Sequence, residues 1–353
     1  MKWEENVRKV VPYVPGEQPK EKKVIKLNTN ECPYAPSPLV REALKHFPYE
    51  ELRLYPDTQA TELVKELADT YQIKQENIFA GVGSDDVLAM AFMTFFNSKK
   101  PILFPDITYS FYDVWADLFK IPYVCKPLDE DFTIKKEDYF CENGGIILPN
   151  PNAPTGVEEK IEVIEEIIKK NSDVVVMIDE AYVDFGGVSV LPLIQKYDNL
   201  LVIQTFSKSR ALAGIRIGYA MGSEKLIQYL NDVKFSFNSY TMNRTTVAVG
   251  AACLRDKEYF ANTVGKVIAT RERIKKELRQ LGFSFADSKS NFIFATHESV
   301  PALTIFEAAK KENIFLRYFK KPRIDNYLRI SIGTDQEMDI LIDFLKDFLG
   351  KQA

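Results

Sequence analysis

Short, almost wholly apolar runs recur in the first two thirds of the sequence, and they limit its possible folds more than any other feature. The clearest runs are PILF, GIILP, DVVVMID and NLLVIQT. A strand that is apolar on both faces must be covered on both faces, which is typical of parallel sheets. Between such runs lie stretches with helical periodicity, such as TELVKELADTY. The sequence therefore predicts an α/β fold with a mostly parallel sheet between helices.

The pattern changes after about Met242, where a long helical stretch is interrupted near Asp256 and is followed by short strands. A closing amphipathic helix, DQEMDILIDFLKDFLG, ends this part. The first 30 residues contain proline and lysine and show little periodicity. We therefore predict an N-terminal arm (1–30) that packs with a small α+β domain (246–353), and a large domain between them (31–245).

Charge and hydropathy exclude several classes of partner. The 353 residues carry a formal net charge of −4, which gives no nucleic-acid-binding signature. No apolar run reaches the roughly 18 residues of a membrane span, and the N-terminal segment lacks the apolar centre of a secretion signal. We therefore expect a cytoplasmic protein. A chain of 353 residues is long enough to bury a large core without crosslinks.

Cysteine and histidine usage narrows the chemistry. The four cysteines (Cys32, Cys125, Cys141 and Cys253) form no C-x-x-C pair, which suits reduced thiols. Only two histidines are present, so a histidine-based zinc site or a catalytic triad is disfavoured, and we expect no metal. Another side chain must therefore carry any acid–base chemistry.

Polar residues collect where the predicted strands end, which is where open parallel sheets bind ligands. Gly83, Ser84 and Asp85 stand between a strand and a helix, where free backbone N–H groups can bind an anion. Asp179 ends an apolar strand, and Asn152 lies in the proline-rich turn NPNAPTG. Each feature alone is also compatible with a helix cap or an ordinary loop.

The segment NLLVIQTFSKSRALAGIRIGYAMG places Lys208 and Arg216 between and within two expected strands, at 199–204 and 214–221. A buried lysine tends to lose its proton and become a nucleophile, whereas a buried arginine requires a fixed anion. A phosphate held by Arg216, Ser207 and the 83–85 turn, beside that amine, describes a pyridoxal phosphate site, with Asp179 at the pyridine nitrogen. The alternative is that both cations lie on a solvated loop.

Several motifs carry a family resemblance. TFSKSRALAGIRIG resembles the lysine motif of the fold-type I pyridoxal phosphate aminotransferases, and NPNAPTG, IDEAYVDF and AGVGSDD resemble other signatures of that family, in its order. The motifs VPYVPGE, KLNTNECPYAPSP, RLYPD, PDITYSFY and YLRISIGT make the sequence most similar to the branch that acts on histidinol phosphate. The resemblance implies a seven-stranded, mostly parallel sheet flanked by helices, with a smaller α+β domain.

The resemblance also implies roles for individual residues. Lys208 would form a Schiff base with pyridoxal 5'-phosphate and then move the proton at the substrate carbon. Asp179 would keep the pyridine nitrogen protonated, Tyr182 and Asn152 would bond the phenolic oxygen, and Tyr109 would stack on the ring. The cofactor phosphate would be held by a further set: Gly83, Ser84, Asp85 through its backbone N–H, Thr205, Ser207 and Arg216.

Partner and substrate residues follow from the same resemblance. Tyr55 would reach the cofactor of a neighbouring subunit, which implies a homodimer with shared sites, and the arm would contact that partner. Arg329 would bind the carboxylate of glutamate or 2-oxoglutarate and the phosphate of histidinol phosphate, because a guanidinium suits both anions. Arg317, Tyr13 and Asn30 would complete the substrate pocket. Cys32 and Asp86 depart slightly from the motifs, which have asparagine and glutamate there.

The expected reaction is a reversible, ping-pong amino transfer between glutamate and imidazole-acetol phosphate, a step of histidine biosynthesis. Three alternatives remain from the sequence alone. The scaffold also suits an aromatic amino acid aminotransferase acting on phenylalanine or tyrosine. Less closely, it suits a threonine-phosphate decarboxylase, or a sensor that binds the cofactor without catalysis.

Overall fold

The computed structural model describes residues 2–19 and 24–351. Its strands are, in chain order, β1 (Ile25–Lys26), β2 (Ile78–Gly81), β3 (Ile102–Pro105), β4 (Tyr123–Lys126), β5 (Ile146–Pro149), β6 (Val176–Asp179), β7 (Leu200–Thr205), β8 (Gly218–Gly222), β9 (Phe283–Phe285), β10 (Phe292–His297), β11 (Ile314–Phe315), β12 (Arg317–Tyr318) and β13 (Leu328–Ser331). Its α-helices are α1 (Pro38–Lys45), α2 (Thr61–Tyr71), α3 (Ser84–Phe95), α4 (Tyr112–Phe119), α5 (Ile161–Lys170), α6 (Glu224–Phe237), α7 (Arg244–Arg255), α8 (Lys257–Gln280), α9 (Ala302–Lys311) and α10 (Asp335–Gly350).

Seven strands form the large sheet in the order β2-β8-β7-β6-β5-β3-β4. The strands from β7 to β4 pair in parallel, and β8 runs antiparallel to both of its neighbours. The mostly parallel sheet expected from the sequence pattern, and the seven strands implied by the family resemblance, are therefore confirmed. Its central strands β5, β6 and β7 are buried at every position, because helices cover both faces.

Alternation along the strands sends neighbouring side chains to two separate apolar layers. Ile178 packs in one layer with residues of α2, α5 and α7, whereas Met177 packs in the other with residues of α3, α4 and α6. Helices α3 and α4 follow strands β2 and β3, so their N-terminal ends lie at the carboxyl edge of the sheet. That edge is where the polar residues collect.

The C-terminal part forms a four-stranded antiparallel sheet in the order β12-β13-β10-β9. Its core, which includes Ile274, Ile293, Ile330 and Leu341, is a cluster distinct from the two layers of the large sheet. Strand β1 pairs in parallel with β11, so the N-terminal segment joins this part of the molecule.

Two local features differ from the sequence-based expectation. The strand expected at 214–221 begins only at Gly218, because Ala213–Ile215 form a 3-10 turn and Arg216 has a left-handed φ of 58°. Helices α1, α6 and α9 were not predicted, although Ser223 caps α6 by accepting a bond from the backbone N–H of Leu226. The expected break at Asp256 is confirmed, since its carboxylate caps α8 at Tyr259 N.

None of the helices in residues 2–19 and 24–351 has both the length and the apolar character that crossing a membrane requires.

Candidate active site

A cavity of about 170 Å³ opens at the carboxyl edge of the large sheet, at the ends of β5, β6 and β7. Its walls come from the sheet edge, the start of α3 and the N-terminal segment. The lining residues are Thr29, Glu31, Ser84, Asp85, Tyr109, Pro149, Pro151, Ala153, Asp179, Ala181, Tyr182, Ser207, Lys208, Ala213 and Arg216. Eight of the residues predicted from the sequence are thus brought to one cavity.

Lys208 follows strand β7 and points its amine into this cavity. Its Nζ lies 3.4 Å from the carbonyl oxygen of Thr29 and 5.7 Å from the centroid of the Tyr182 ring. The sequence suggested a buried position, but Lys208 is only half-buried because it opens on the cavity. Its nearest described hydrogen-bond partner is a backbone carbonyl, so the amine is available to a bound molecule.

Asp179 ends strand β6 and is buried, with both carboxylate oxygens bonded. The Tyr112 hydroxyl donates to Oδ2 at 2.8 Å, and the backbone N–H of Ala181 donates to Oδ1 at 3.1 Å. Burial raises the pKa of this carboxyl to about 6, while the hydrogen bond from Tyr112 opposes that rise. A carboxylate in such a place is well suited to face a cation.

An anion-binding corner lies at the start of α3. Gly83 has a left-handed φ of 87°, and a Cβ there would stand 2.5 Å from Arg216 Nη2, so the guanidinium lies directly over the glycine. Arg216 donates to Asp85 Oδ2, Ser207 Oγ and the Ala213 carbonyl at 3.3, 3.3 and 3.2 Å. Its half-exposed side chain therefore faces the cavity rather than the interior, because the chain turns before β8.

Thr205 and Ser84 complete that corner. Thr205 Oγ1 accepts the backbone N–H of Ser207 at 3.1 Å, which fixes the turn after β7. Ser84 begins α3, so free N–H groups of the first helical turn point towards the cavity that this residue lines. The arrangement joins a helix N-terminus, a hydroxyl and a guanidinium, which together suit a phosphate.

A chain of hydrogen bonds connects the N-terminal segment to Tyr182. Asn30 Nδ2 donates to the Tyr182 hydroxyl at 2.9 Å, and the Ser331 hydroxyl donates to Asn30 Oδ1 at 2.8 Å. Asn30 adopts a left-handed φ of 57°. Strand β13 of the small sheet is thereby linked through Asn30 to the cavity wall.

Asn152 lies beside the cavity in a turn whose bonds Asn150-Pro151 and Ala153-Pro154 are both cis. Its Nδ2 donates to the Ile107 carbonyl at 2.9 Å and to Thr155 Oγ1 at 3.0 Å. Its Oδ1 is buried, and nothing within residues 2–19 and 24–351 donates to it. An unsatisfied buried acceptor of this kind calls for a donor from a bound molecule.

Tyr109 and Tyr13 stand on the α4 side of the site. The Tyr109 hydroxyl donates to Asp85 Oδ1 at 2.8 Å, and burial beside that carboxylate raises the pKa of the phenol well above its ordinary value. Tyr13, in the N-terminal segment, stacks on Phe111 with ring centroids 4.1 Å apart. The N-terminal segment therefore packs against the residue that precedes α4.

The two predicted substrate arginines share an aromatic neighbour. The guanidinium carbons of Arg329 and Arg317 lie 5.5 and 5.3 Å from the centroid of Phe319. Arg329 Nη2 donates to the Asn28 carbonyl at 3.0 Å, while its buried Nε has no acceptor in the described part of the chain. Burial, together with the nearby Arg317 charge, lowers the pKa of Arg329. Two adjacent cations with an unused donor suit an anionic ligand.

Tyr55 does not reach the cavity of its own chain. Its side chain is 76% exposed, its ring lies 4.6 Å from that of Tyr240, and its carbonyl accepts a bond from Arg244 Nε. The prediction that it serves a neighbouring subunit remains a prediction.

Three further residues belong to the site, although sequence reasoning did not assign them. Tyr112 bonds Asp179, and Thr29 and Glu31 line the cavity beside Lys208. Glu31 accepts bonds from Lys26 and from the Thr29 hydroxyl. The motif KLNTNECPYAPSP was a signal for the last two. Within the described residues, no cluster of three or more His, Cys, Asp or Glu could hold a metal ion.

Comparison with known proteins gives a consistent result. The family model described as aminotransferase class I and II matches residues 22–345. The chain is 51% identical over 349 residues to the histidinol-phosphate aminotransferase of Lactococcus lactis subsp. cremoris, covering 99% of this chain and 98% of that protein. It is 52% identical over 343 residues to that of Brachyspira hyodysenteriae, covering 97% of each chain.

The fold is also that of solved structures. The histidinol-phosphate aminotransferase of Sinorhizobium meliloti, in complex with pyridoxal-5'-phosphate, superposes with a TM-score of 0.84 at 23% identity. The match covers 93% of this chain and 91% of that one. At this level of identity the likeness concerns the fold alone.

Proposed function

Because the chain belongs to the class I and II aminotransferase family, we propose that it transfers an amino group between glutamate and imidazole-acetol phosphate, giving histidinol phosphate and 2-oxoglutarate. The cofactor is pyridoxal 5'-phosphate, carried on Lys208. The relatives that are about half identical over nearly the whole chain act on histidinol phosphate by name, which supports this substrate.

The observation that carries the proposal is the pairing of the Lys208 amine and the buried Asp179 carboxyl in one cavity, with an anion-binding corner beside them. Pyridoxal phosphate presents an aldehyde, a basic ring nitrogen and a phosphate. The aldehyde needs an amine, the ring nitrogen needs a carboxylate, and the phosphate needs an anion-binding site. Asn152 stands between two lining residues, Pro151 and Ala153, and its buried Oδ1 has no donor within the described residues. The residues present therefore fit the cofactor.

When bound, the cofactor supplies an electron sink for the bond that breaks at the substrate carbon. Lys208 holds the cofactor and, when its amine is free, takes and returns the proton at that carbon. Asp179 keeps a proton on the ring nitrogen. Ser84, Ser207 and Arg216 bind the phosphate, with Gly83 leaving room for the guanidinium.

The remaining cofactor contacts position the ring. Tyr182, held by Asn30, and Asn152 orient its phenolic edge, and Tyr109 covers a ring face. Asp85 contributes a backbone N–H to the phosphate while its side chain aligns Arg216. Thr205 fixes the turn that carries Ser207.

The substrate anion would bind to Arg329 and Arg317, with Tyr13 from the N-terminal segment. A guanidinium binds a carboxylate and a phosphate with the same geometry, so one pocket can serve glutamate and histidinol phosphate in turn. The unused buried Nε of Arg329 supports this role.

A homodimer with shared sites is part of the proposal. The exposed pair Tyr55 and Tyr240 forms an aromatic surface on the large domain. Tyr55 would extend to the cofactor phosphate of the partner subunit.

Steady-state kinetics test the substrate assignment. The ratio kcat/KM should be higher for histidinol phosphate than for phenylalanine or tyrosine, with 2-oxoglutarate as the acceptor. A clear preference for phenylalanine would contradict the assignment and indicate an aromatic amino acid aminotransferase. Release of carbon dioxide from O-phosphothreonine would instead indicate a decarboxylase.

A further inference from the structure

Tyr112 lies on helix α4 with its hydroxyl directed at the carboxylate that ends β6, yet the proposed chemistry assigns it no role. We propose that Tyr112 is a positioning residue, which keeps Asp179 ionised and aimed at the ring nitrogen of bound pyridoxal phosphate. This inference rests on the proposed function, since it concerns the cofactor named there. Its effect passes through Asp179, because the cavity lining includes Asp179 but not Tyr112.

The hydrogen-bond geometry fixes the carboxylate at both oxygens. Tyr112 donates to Oδ2 at 2.8 Å, and the backbone N–H of Ala181 donates to Oδ1 at 3.1 Å. An ionised carboxylate has about four acceptor positions, so each oxygen retains one for a further donor. The two bonds therefore set the direction of the carboxylate without using its capacity to accept a pyridinium N–H.

The charges around Asp179 explain why the hydroxyl is needed. Burial and the Asp85 carboxylate on α3 both favour the neutral acid, whereas Tyr112, Ala181 N and the Lys208 amine favour the anion. The balance raises the pKa of Asp179 to about 6, close enough to neutrality for one hydrogen bond to matter. A neutral carboxyl would no longer hold a proton on the ring nitrogen.

The hydroxyl of Tyr112 is a dependable donor. Burial, followed by the adjacent Asp179 charge, raises the pKa of the phenol well above its ordinary value, so it keeps its proton at any physiological pH. The other titratable groups that face it are Tyr109 and Tyr182, which are also phenols. The donor and acceptor roles in this pair are therefore fixed.

The ring of Tyr112 has a separate packing role, which a conservative substitution leaves in place. The ring meets Phe104 edge-on, with centroids 5.8 Å apart, and lies 5.8 Å from Tyr109. Tyr112→Phe keeps these contacts and removes only the hydroxyl. Tyr139→Phe is the matched control, because Tyr139 is equally buried, and its hydroxyl has no hydrogen-bond partner in the described part of the chain.

The test measures how tightly the apoprotein binds pyridoxal phosphate as a function of pH, by spectral titration of the parent, Tyr112→Phe and Tyr139→Phe. Affinity should fall on the acid side in all three as Asp179 takes up a proton. In Tyr112→Phe that fall should begin about one pH unit higher, because the loss of a hydrogen bond to the charged carboxylate raises the pKa of Asp179 by about one unit. Tyr139→Phe should follow the parent.

A second ligand separates the proposed role from a purely structural one. The probe is the analogue of pyridoxal phosphate in which the ring nitrogen is replaced by C–H, so that no pyridinium exists for Asp179 to hold. Tyr112→Phe should bind this analogue as tightly as the parent does at every pH tested, while its loss of affinity for pyridoxal phosphate should grow from about twofold at pH 7 to about tenfold near pH 5. Equal losses for both ligands, or an unchanged pH profile, would overturn the inference.

The same titrations distinguish failure of the inference from failure of the proposed function. If the parent binds pyridoxal phosphate but transaminates another amino acid, the substrate assignment fails and the role of Tyr112 is still tested. If the parent shows no affinity for the cofactor, both fail together.

Discussion

Two neighbouring carboxyl groups, Asp179 and Glu180, stand at the end of strand β6, and they face opposite sides of the large sheet. Both are almost fully buried, and burial raises the pKa of both, to about 6 for Asp179 and about 7 for Glu180. Asp179 opens on the cavity with Lys208. Glu180 instead accepts bonds from Ser189, Val190 N and Gln204. Neither Glu180 nor any of these partners lines that cavity.

The difference shows that a raised pKa does not identify a functional carboxyl. The Glu180 network continues through Gln204 to the hydroxyls of Tyr71 and Tyr219, which both donate to Gln204 Oε1. Every strong acceptor there is paired within the chain. On the Asp179 side, the Lys208 amine and the half-exposed Arg216 guanidinium line the cavity, where a ligand can reach them. We call these the cavity side and the network side of the sheet.

The largest effect should come from Lys208→Ala on the cavity side. Removing the amine that carries the cofactor and moves the proton should lower kcat by about a thousandfold or more. The visible absorption of the purified protein should also be lost, while its thermal midpoint without cofactor stays unchanged. Near-normal turnover would contradict the role of Lys208. Lys100→Ala, at an exposed surface ion pair, is the control.

Asp179→Asn should have the next largest effect, because asparagine keeps the shape but cannot carry a negative charge. We expect kcat to fall by about a hundredfold or more. The apoprotein should be as stable as the parent at neutral pH, since a costly buried charge is removed. If kcat changed by less than about threefold, the carboxylate would not act on the cofactor.

On the network side, Glu180→Gln should change stability rather than activity. The carboxyl has a higher pKa when folded, about 7, than its ordinary value of 4.5, so the folded chain binds more protons. The contribution of Glu180 to the free energy of unfolding should therefore be complete below its ordinary pKa of 4.5. About 3 kcal/mol of that contribution should be lost as the pH rises to 7. Glutamine cannot ionise, so that part of the fall should disappear.

Thermal unfolding across this pH window measures the difference, with kcat as the second readout. The midpoint of Glu180→Gln should decline less with pH than that of the parent, and kcat should stay within about threefold. Glu162→Gln, at an exposed position of α5, is the control and should follow the parent. A hundredfold loss of kcat in Glu180→Gln would show that the network side also takes part in catalysis, which would contradict the distinction between the two sides.

The smallest effect should come from Tyr71→Phe, also on the network side. The variant loses the bond to Gln204 Oε1 and the hydroxyl–hydroxyl bond between Tyr71 and Tyr219, but it keeps the bond from Tyr219 to Gln204. We expect the free energy of unfolding to fall by about 1 kcal/mol and kcat to stay unchanged. A larger loss of activity than of stability would mean that the network reaches the cavity.

The strength of the sequence signal explains which parts were predictable. The apolar runs predicted β3, β5, β6 and β7 because a strand buried on both faces requires apolar side chains on both. Lys208, Arg216 and Asp179 stood out because burying a charged group costs free energy unless the charge is paired. Charged residues beside apolar runs therefore indicate a bound partner. The start of β8 was missed by four residues because the left-handed residue is Arg216, whose residue type does not indicate that backbone conformation.

Tyr112 and helix α6 were missed for different reasons. In sequence, Tyr112 is one more apolar position of an amphipathic helix, and only the packing of α4 against the sheet directs its hydroxyl to Asp179. Helix α6 had a usable signal in Ser223, but its buried face includes Lys234, which donates to the Thr58 carbonyl and hides the apolar stripe. Both features depend on contacts between segments that are far apart in the sequence.

The most direct test of the central claim is to locate the cofactor in the purified protein. Borohydride reduction makes its attachment permanent, and mass spectrometry of the resulting peptides then identifies the modified side chain. We predict that the cofactor is found on Lys208. Its attachment to any other lysine, or the absence of a modified peptide from a protein that transaminates histidinol phosphate, would contradict the account.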